Sequence, residues 1–382
     1  MDERNHTSSD HEEEEEEQSD YKEERSHLSD EQPQPPKRRS CETLDRISSL
    51  PESILLHTLS LLPMKEVVKT ATLSKRWQYL WTSVPNLIFS GPIHERHCIG
   101  DFVSFVDKTL ILCRQSKINK FTINFRYEPR FASHVNLWIR FATSCDAEKI
   151  SIKLYAAEGP EGVNLYTLPK HLFRSSSLTK LGLWFCNVAP TGAVSWKSLK
   201  NLSIRCGKLS NDVIEKILSG SPALEFLEFC YCCGFDRLDI NSASLRKCVV
   251  EGYRDPSNSK DESVLKISAP NLQSLNVIGS WYLNKFQLMN MSSLVDVDIS
   301  FDILHDEIHD ENENMLKELL QFLRDVNKLT VGTWCIKVMS KLELKGLPSP
   351  VSKCKCLKID TSITKRDLPG IANLLQSSPN LE

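Results

Sequence analysis

The chain is poor in the features that mark an enzyme or a membrane protein. Only 14 of its 382 residues are glycine, and none of them builds a Gly-rich phosphate loop or a G-x-S-x-G nucleophile elbow. No catalytic residue and no cofactor is expected. No apolar run approaches the roughly 18 residues of a spanning helix, and no secretory h-region follows Met1, so no membrane partner is expected. Excess positive charge is also lacking. The net charge is −3, but residues 1–40 carry 14 acidic and 6 basic side chains, leaving the remainder at +5. A body so near neutrality does not point to nucleic acid as a partner.

Cysteine is the exception, with 13 spread along the body. Without an export signal these read as reduced thiols. The clusters "CYCCG" (Cys230, Cys232, Cys233) and "CKC" (Cys354, Cys356) set cysteines adjacent or one apart, poor geometry for a tetrahedral zinc site, and fall beside apolar strand pairs, so they read as core, and no metal is expected. His305 and His309 are four apart, but they sit in the acidic run "HDEIHDENEN", a solvated loop by composition.

The chain divides into three pieces. Residues 1–43 hold the run Glu12–Glu17 and, at 35–40, "PPKRRS", with almost nothing apolar, so disorder is expected. Lys37, Arg38 and Arg39 fit either a nuclear-import signal or basic punctuation after an acidic tail, and the expected location is the nucleus or the cytoplasm. In residues 44–89, Pro51 and Pro63 suit first helical positions. Ile54, Leu55 and Leu59 make one apolar stripe, Val67 and Val68 follow, and Leu73, Trp77, Leu80 and Trp81 spell a third short helix. Three small helices rarely bury enough surface to stand alone, so this piece needs a neighbour.

"DRISSLPESILLHTLSLLPMKEVVKTATLSKRWQYLW", from Asp45 to Trp81, resembles the F-box of plant F-box proteins. The landmarks are Leu50-Pro51, Ile54-Leu55, Leu62-Pro63 and "LSKRWQYLW"; Val67 and Ala71 stand where the family often has Ala and Ser. The resemblance implies docking onto the Skp-type adaptor of a cullin–RING ubiquitin ligase. On it, Leu50, Pro51, Ile54, Leu55, Leu59, Leu62, Pro63, Val67, Val68, Leu73, Trp77 and Leu80 are candidate adaptor contacts, some of which must instead hold the helices together. Trp77 and Trp81 are candidate anchors, and Trp81 is equally a candidate joint to the next domain.

Residues 100–382 repeat one short pattern. Apolar-x-apolar pairs recur at Phe121/Ile123, Ile150/Ile152, Leu181/Leu183, Leu202/Ile204, Leu227/Phe229, Cys248/Val250, Leu275/Val277, Val297/Ile299, Leu329/Val331 and Leu357/Ile359. The mean period of about 26 residues lies in the range of leucine-rich repeats. Alternation makes each pair the inward face of a strand. Leu178, Leu199, Leu224, Leu272 and Leu294 enter the same core three residues earlier. Helical returns are legible in 101–113, 211–220 and 314–326. In "SSSLTKLGLWFCNV", Asn187 is read as the turn asparagine. The expected fold is α/β: the three-helix F-box, then a right-handed α/β solenoid of about ten repeats with one parallel strand each.

"SPALEFL" and "APNLQSL" further resemble the plant F-box/leucine-rich-repeat group. In many relatives an FBD module follows the repeats. Here "SPNLE" makes Leu381 the leading leucine of a repeat whose strand would lie past Glu382, so a truncated and frayed last repeat is expected. The resemblance implies a non-catalytic substrate-recognition subunit of an SCF-type ligase, its repeats binding a protein target. The rival is a leucine-rich scaffold without a role in ubiquitination. Outward strand positions (Ser151, Lys153, Trp184, Arg205, Glu228, Asp298) read as mixed, and no concentrated ring of Lys and Arg supports an anionic co-ligand.

Overall fold

The computed structural model describes residues 47, 49–95, 97–155, 165–253, 264–281, 285–303, 310–347 and 349–382. The acidic tail, the basic run Lys37–Arg39 and the pair His305/His309 lie outside them. Chain contacts divide the molecule after Ile47, and the described helices and strands belong to the compact unit Ser48–Glu382.

One parallel sheet carries that unit. Its strands are β1 (Asn86–Ser90), β2 (Lys120–Arg126), β3 (Lys149–Tyr155), β4 (Lys180–Trp184), β5 (Asn201–Arg205), β6 (Phe226–Cys230), β7 (Lys247–Glu251), β8 (Ser274–Trp281), β9 (Asp296–Ile299), β10 (Lys328–Gly332) and β11 (Cys356–Asp360), side by side in chain order. The register brings the apolar pairs into line: Phe121 faces Ile150, Ile150 faces Leu181, and the match continues to Leu329 with Leu357. From β2 to β10 every member of these pairs is buried. In β11, at the sheet edge, Leu357 and Ile359 are only half-buried. Each pair has nothing to pack on within its own repeat, and stacking gives it the neighbours' pairs.

Helices return the chain toward both ends of the sheet and once at its centre. α3 (Ile99–Leu112) joins β1 to β2, α4 (Ala132–Ser144) joins β2 to β3, and α5 (Asn211–Ser219) joins β5 to β6. α6 (Asp310–Phe322) precedes β10, α7 (Thr333–Leu344) precedes β11 and α8 (Leu368–Gln376) follows it. In the middle the returns are themselves strands. Arg237–Asp239, Val264–Ser268 and Lys285–Met289 form a second parallel sheet of three. The cause is local: Leu265 and Ile267 are buried with Lys266 exposed between them, a period of two that no helix face satisfies.

The N-terminal segment departs from three α-helices. α1 (Glu52–Leu59) and α2 (Met64–Lys69) form as expected, but Pro51 and Pro63 are their N-caps rather than their first residues. An extended proline there offers its carbonyl to the first turn, as Pro51 does to the amides of Ile54 and Leu55. The third piece is a chain of 3-10 turns, Thr70–Thr72 and Leu80–Ser83. The hydroxyls of Thr70 and Thr72 donate to the carbonyls of Val67 and Lys69 at 2.7 and 2.9 Å, and the amides of Trp77 and Leu80 reach back three residues. Such side-chain bonds compete with continued α-helix.

β1 belongs to the sheet although the sequence division assigns it to the F-box. Leu87 and Phe89 stand in register with Phe121 and Ile123. The F-box segment therefore shares the core of the repeats, in which Leu55, Leu59, Met64 and Val67 join Val84 and Leu87 in one apolar cluster. The Asn86 side-chain amide seals the joint by donating to the Ser60 carbonyl at 3.1 Å.

At the other end, residues 365–382 are held rather than frayed. α8 packs on α7 so closely that a β-carbon at Gly370 would stand 2.4 Å from the Ile336 carbonyl oxygen. The Gly370 amide donates to Ser340 Oγ at 2.9 Å. Leu381 packs on the core, and the Glu382 amide bonds the Lys355 carbonyl just as the Lys355 amide bonds that of Asn327. That is the position from which each earlier strand starts, as the register of Leu381 predicts.

Candidate functional site

Two surfaces stand out. The first is the outer side of the F-box segment, where the fold sorts the candidate contacts into two sets. Leu55, Leu59, Val67, Trp77 and Leu80 are buried and Val68 is half-buried, so these hold the segment together. Trp81 is buried as well, its indole N–H donating to the Gln78 carbonyl at 3.1 Å. The tryptophans are thus internal anchors, not surface ones, because the short turns leave large rings no other place to hide. Leu50, Pro51, Ile54, Leu62, Pro63 and Leu73 stay exposed. Leu61 and Tyr79 join them, at 68% and 64% exposure beside 66% for Leu73. Leu61 had a signal in the sequence: in "LSLL" one turn of helix cannot turn three leucines inward. Arg76 bonds the Leu50 carbonyl at 2.6 Å and so fixes the start of α1 to the third piece.

The second surface is the open face of the sheet, opposite the returns. Over β2 to β6 it encloses a hollow of about 800 Å³. The outward positions read as mixed along the sequence, but the register sorts them. Lys120, Lys149 and Lys180 stand side by side in one row across β2, β3 and β4. A second row holds Lys153, Trp184 and Arg205. Across the floor between them lies Gly182, over which the Trp184 ring folds back. Lys153 Nζ sits 4.5 Å and Arg205 Cζ 5.7 Å from the ring centroid. Arg205 donates to Glu228 at 2.9 Å, and Glu228 also accepts from the Ser203 hydroxyl.

The cysteines are explained by the repeat. In Leu178-x2-Leu181-x-Leu183-x2-Cys186 and Leu224-x2-Leu227-x-Phe229-x2-Cys232 the thiols hold the position that the repeat reserves for Asn or Cys. Cys186, not Asn187, is therefore the turn residue. Its Sγ donates to the Trp184 carbonyl at 3.4 Å, and Cys232 donates to that of Ile204 at 3.3 Å. Asn187 is half-buried and donates to the Thr167 hydroxyl instead. Burial pushes the Cys232, Cys248 and Cys335 thiols up to about 12. Glu95, His97 and Cys98 place three potential metal-ligand atoms within 4.8 Å of one another, on the surface. The Cys98 thiol is held above its usual value by partial desolvation and by its bond to Glu95, which opposes the thiolate a metal requires.

A helical segment with large apolar side chains left exposed, fused to an open-faced sheet of leucine-rich repeats, is the architecture of a recognition adaptor. The F-box domain family matches residues 47–89, and the family described as "FBD-associated F-box protein At5g56370, LRR repeats" matches residues 135–299. The F-box/LRR-repeat protein At5g02910 of Arabidopsis thaliana is 34% identical over 351 residues, covering 90% of this chain and 72% of that protein. At3g03360, another F-box/LRR-repeat protein of Arabidopsis thaliana, is 32% identical over 355 residues, covering 88% and 69%. The F-box protein At5g03100 of the same plant is 30% identical over 323 residues, covering 82% and 97%. The chain belongs to the plant F-box/leucine-rich-repeat family.

Proposed function

We propose that this chain is the substrate-recognition subunit of an SCF-type cullin–RING ubiquitin ligase, its F-box docking on a Skp-type adaptor and its repeats holding a protein target. The observation that carries this is the set of large apolar side chains left outside a segment whose core is already filled. Leu50, Ile54, Leu61, Leu62, Leu73 and Tyr79 remain exposed within one short stretch, and so many large apolar side chains left in water on one small segment fit a protein interface. No bond chemistry is assigned to the chain. It raises the local concentration of a bound target beside the transferring enzyme, which makes lysine modification effectively intramolecular. The site of action is the nucleus or the cytoplasm.

The test is capture of a Skp-type adaptor by the full chain. The Ile54→Asp, Leu73→Asp double variant should lose capture while unfolding at the wild-type temperature. Wild-type capture by that folded variant would remove the main support. A second reading, a scaffold whose F-box only caps the repeats, is favoured by the shared core of α2 and β1 and by the Asn86–Ser60 bond. It predicts no adaptor capture by the wild-type chain.

A further inference from the structure

We infer that the hollow on the open face is the docking site for an acidic, extended segment of the target protein, one rich in Asp and Glu with an apolar residue among them. The inference rests on the receptor reading and names the target's chemistry.

The lysine row carries a cost. Lys120, Lys149 and Lys180 occupy in-register positions on adjacent parallel strands, and neighbouring strands lie about 4.8 Å apart. Like charges directly opposite one another destabilise a sheet. A row of three is therefore a liability unless something neutralises it. Among the described residues the carboxylate next to the row is Glu148, which feels the charge of Lys149 but is already paired with Lys117. Among the described residues, no carboxylate pairs with Lys120, Lys149, Lys180 or Lys153, whereas Lys117, Lys200 and Arg205 nearby each have one. Among the described residues the hollow is thus lined by five cations against the single carboxylate of Glu228, which Arg205 already occupies.

Two further features point to a peptide rather than a small anion. The Thr122 hydroxyl in the hollow is shielded from solvent and has no hydrogen-bond partner. It stands between the lysine row and the row of Lys153, Trp184 and Arg205, placed to donate to a carboxylate or a backbone carbonyl. The Trp184 ring, its outer edge over Gly182 and flanked by Lys153 and Arg205, gives an apolar wall next to the charge. A compact polyanion uses the cations and makes no apolar contact with the indole; an acidic segment carrying one apolar side chain uses both. The volume of about 800 Å³ also suits several residues of extended chain better than a single ion.

The probe is a short fluorescein-labelled peptide of Asp and Glu around one Phe, titrated with the full chain by fluorescence anisotropy. Binding that weakens with salt is expected. Lys149→Glu with Lys180→Glu should weaken it at least about tenfold, and Trp184→Ala several-fold, with unfolding temperature and adaptor capture unchanged. Wild-type affinity in the folded lysine variant would overturn the inference. So would binding of inorganic tripolyphosphate, sensitive to the same lysines, without binding of the peptide. If peptide binding fails while adaptor capture persists, this inference falls alone. If capture fails while the peptide binds, the receptor reading falls and the acidic-segment site stands.

Discussion

The indole of Trp184 lies across Gly182, two residues back along the same strand, and a β-carbon at Gly182 would meet the ring at 2.6 Å. The glycine is there for the ring, because no other residue leaves the floor of the open face low enough.

Gly182→Ala should therefore move the tryptophan and spare the fold. The atom in the way is the far end of a ring that faces the open hollow, so the ring can swing out at a cost of about 1 kcal/mol. The expected outcome is a red-shifted and more quenchable Trp184 emission, isolated by comparison with Trp184→Phe, and nearly unchanged thermal unfolding. A loss of several degrees in Tm with unchanged emission would show that Gly182 serves the backbone instead.

The buried thiols set a limit at high pH. Burial holds the Cys232, Cys248 and Cys335 protons up to about 12 against an ordinary value of 9.0. On unfolding they ionise at the ordinary value, so the unfolded state is favoured as pH rises. Stability from this source is complete below about pH 9 and falls progressively toward 12. Urea midpoints from pH 8 to 11 should decline, and Cys248→Ala should flatten the decline. In native buffer, iodoacetamide should label exposed Cys356 and leave these three unmodified until denaturant is added, read by mass spectrometry. Rapid native labelling of Cys232 would contradict the geometry.

Ten of the eleven strands were legible because each depends on a local alternation, such as Leu202-x-Ile204, that survives uneven spacing. β1 was not, since "NLIFS" sets Leu87, Ile88 and Phe89 in a row and hides the period of two. The outer strands near Ile267 were missed for another reason: a short return segment carries too few residues for its periodicity to be told from that of a loop. In the F-box the apolar residues were legible, but their division was not. Leu55 and Ile54 are neighbours of equal hydrophobicity, and only the way α1 packs buries one and exposes the other. The lysine row was the least legible feature. Lys120, Lys149 and Lys180 lie in three different repeats, one position before each apolar pair, and become neighbours only through register.

That division within the F-box has a measurable consequence for stability. Leu59→Ala removes a buried side chain and should cost about 2–5 kcal/mol, with Trp77→Ala in the same range. Ile54→Ala and Leu73→Ala, on the outside, should change stability by no more than about 0.5 kcal/mol. Because the F-box and the repeats share one core, the Leu59 variant should lower a single cooperative transition rather than split it in two. Two separated transitions in calorimetry would refute the shared core.

The C-terminal helix offers a test at low pH. The Asp367 side chain is buried and accepts from the hydroxyl and amide of Thr364 at 2.7 and 2.8 Å. These bonds hold its carboxyl below the usual range. A carboxylate depressed in the fold contributes stability above its unfolded value near 3.8, and that contribution is lost as pH falls through the lower folded value. Asp367→Asn removes it at every pH. Hydrogen exchange at pH 7 should find α8 amides protected to the same degree as those of α7, on which the helix rests through Gly370 and Ser340. In Asp367→Asn the protection of 365–376 should drop while that of β2 to β9 is unchanged. If wild-type α8 exchanges as fast as a free peptide, the packing on α7 does not hold the end of the chain, and the frayed last repeat expected from the sequence is restored.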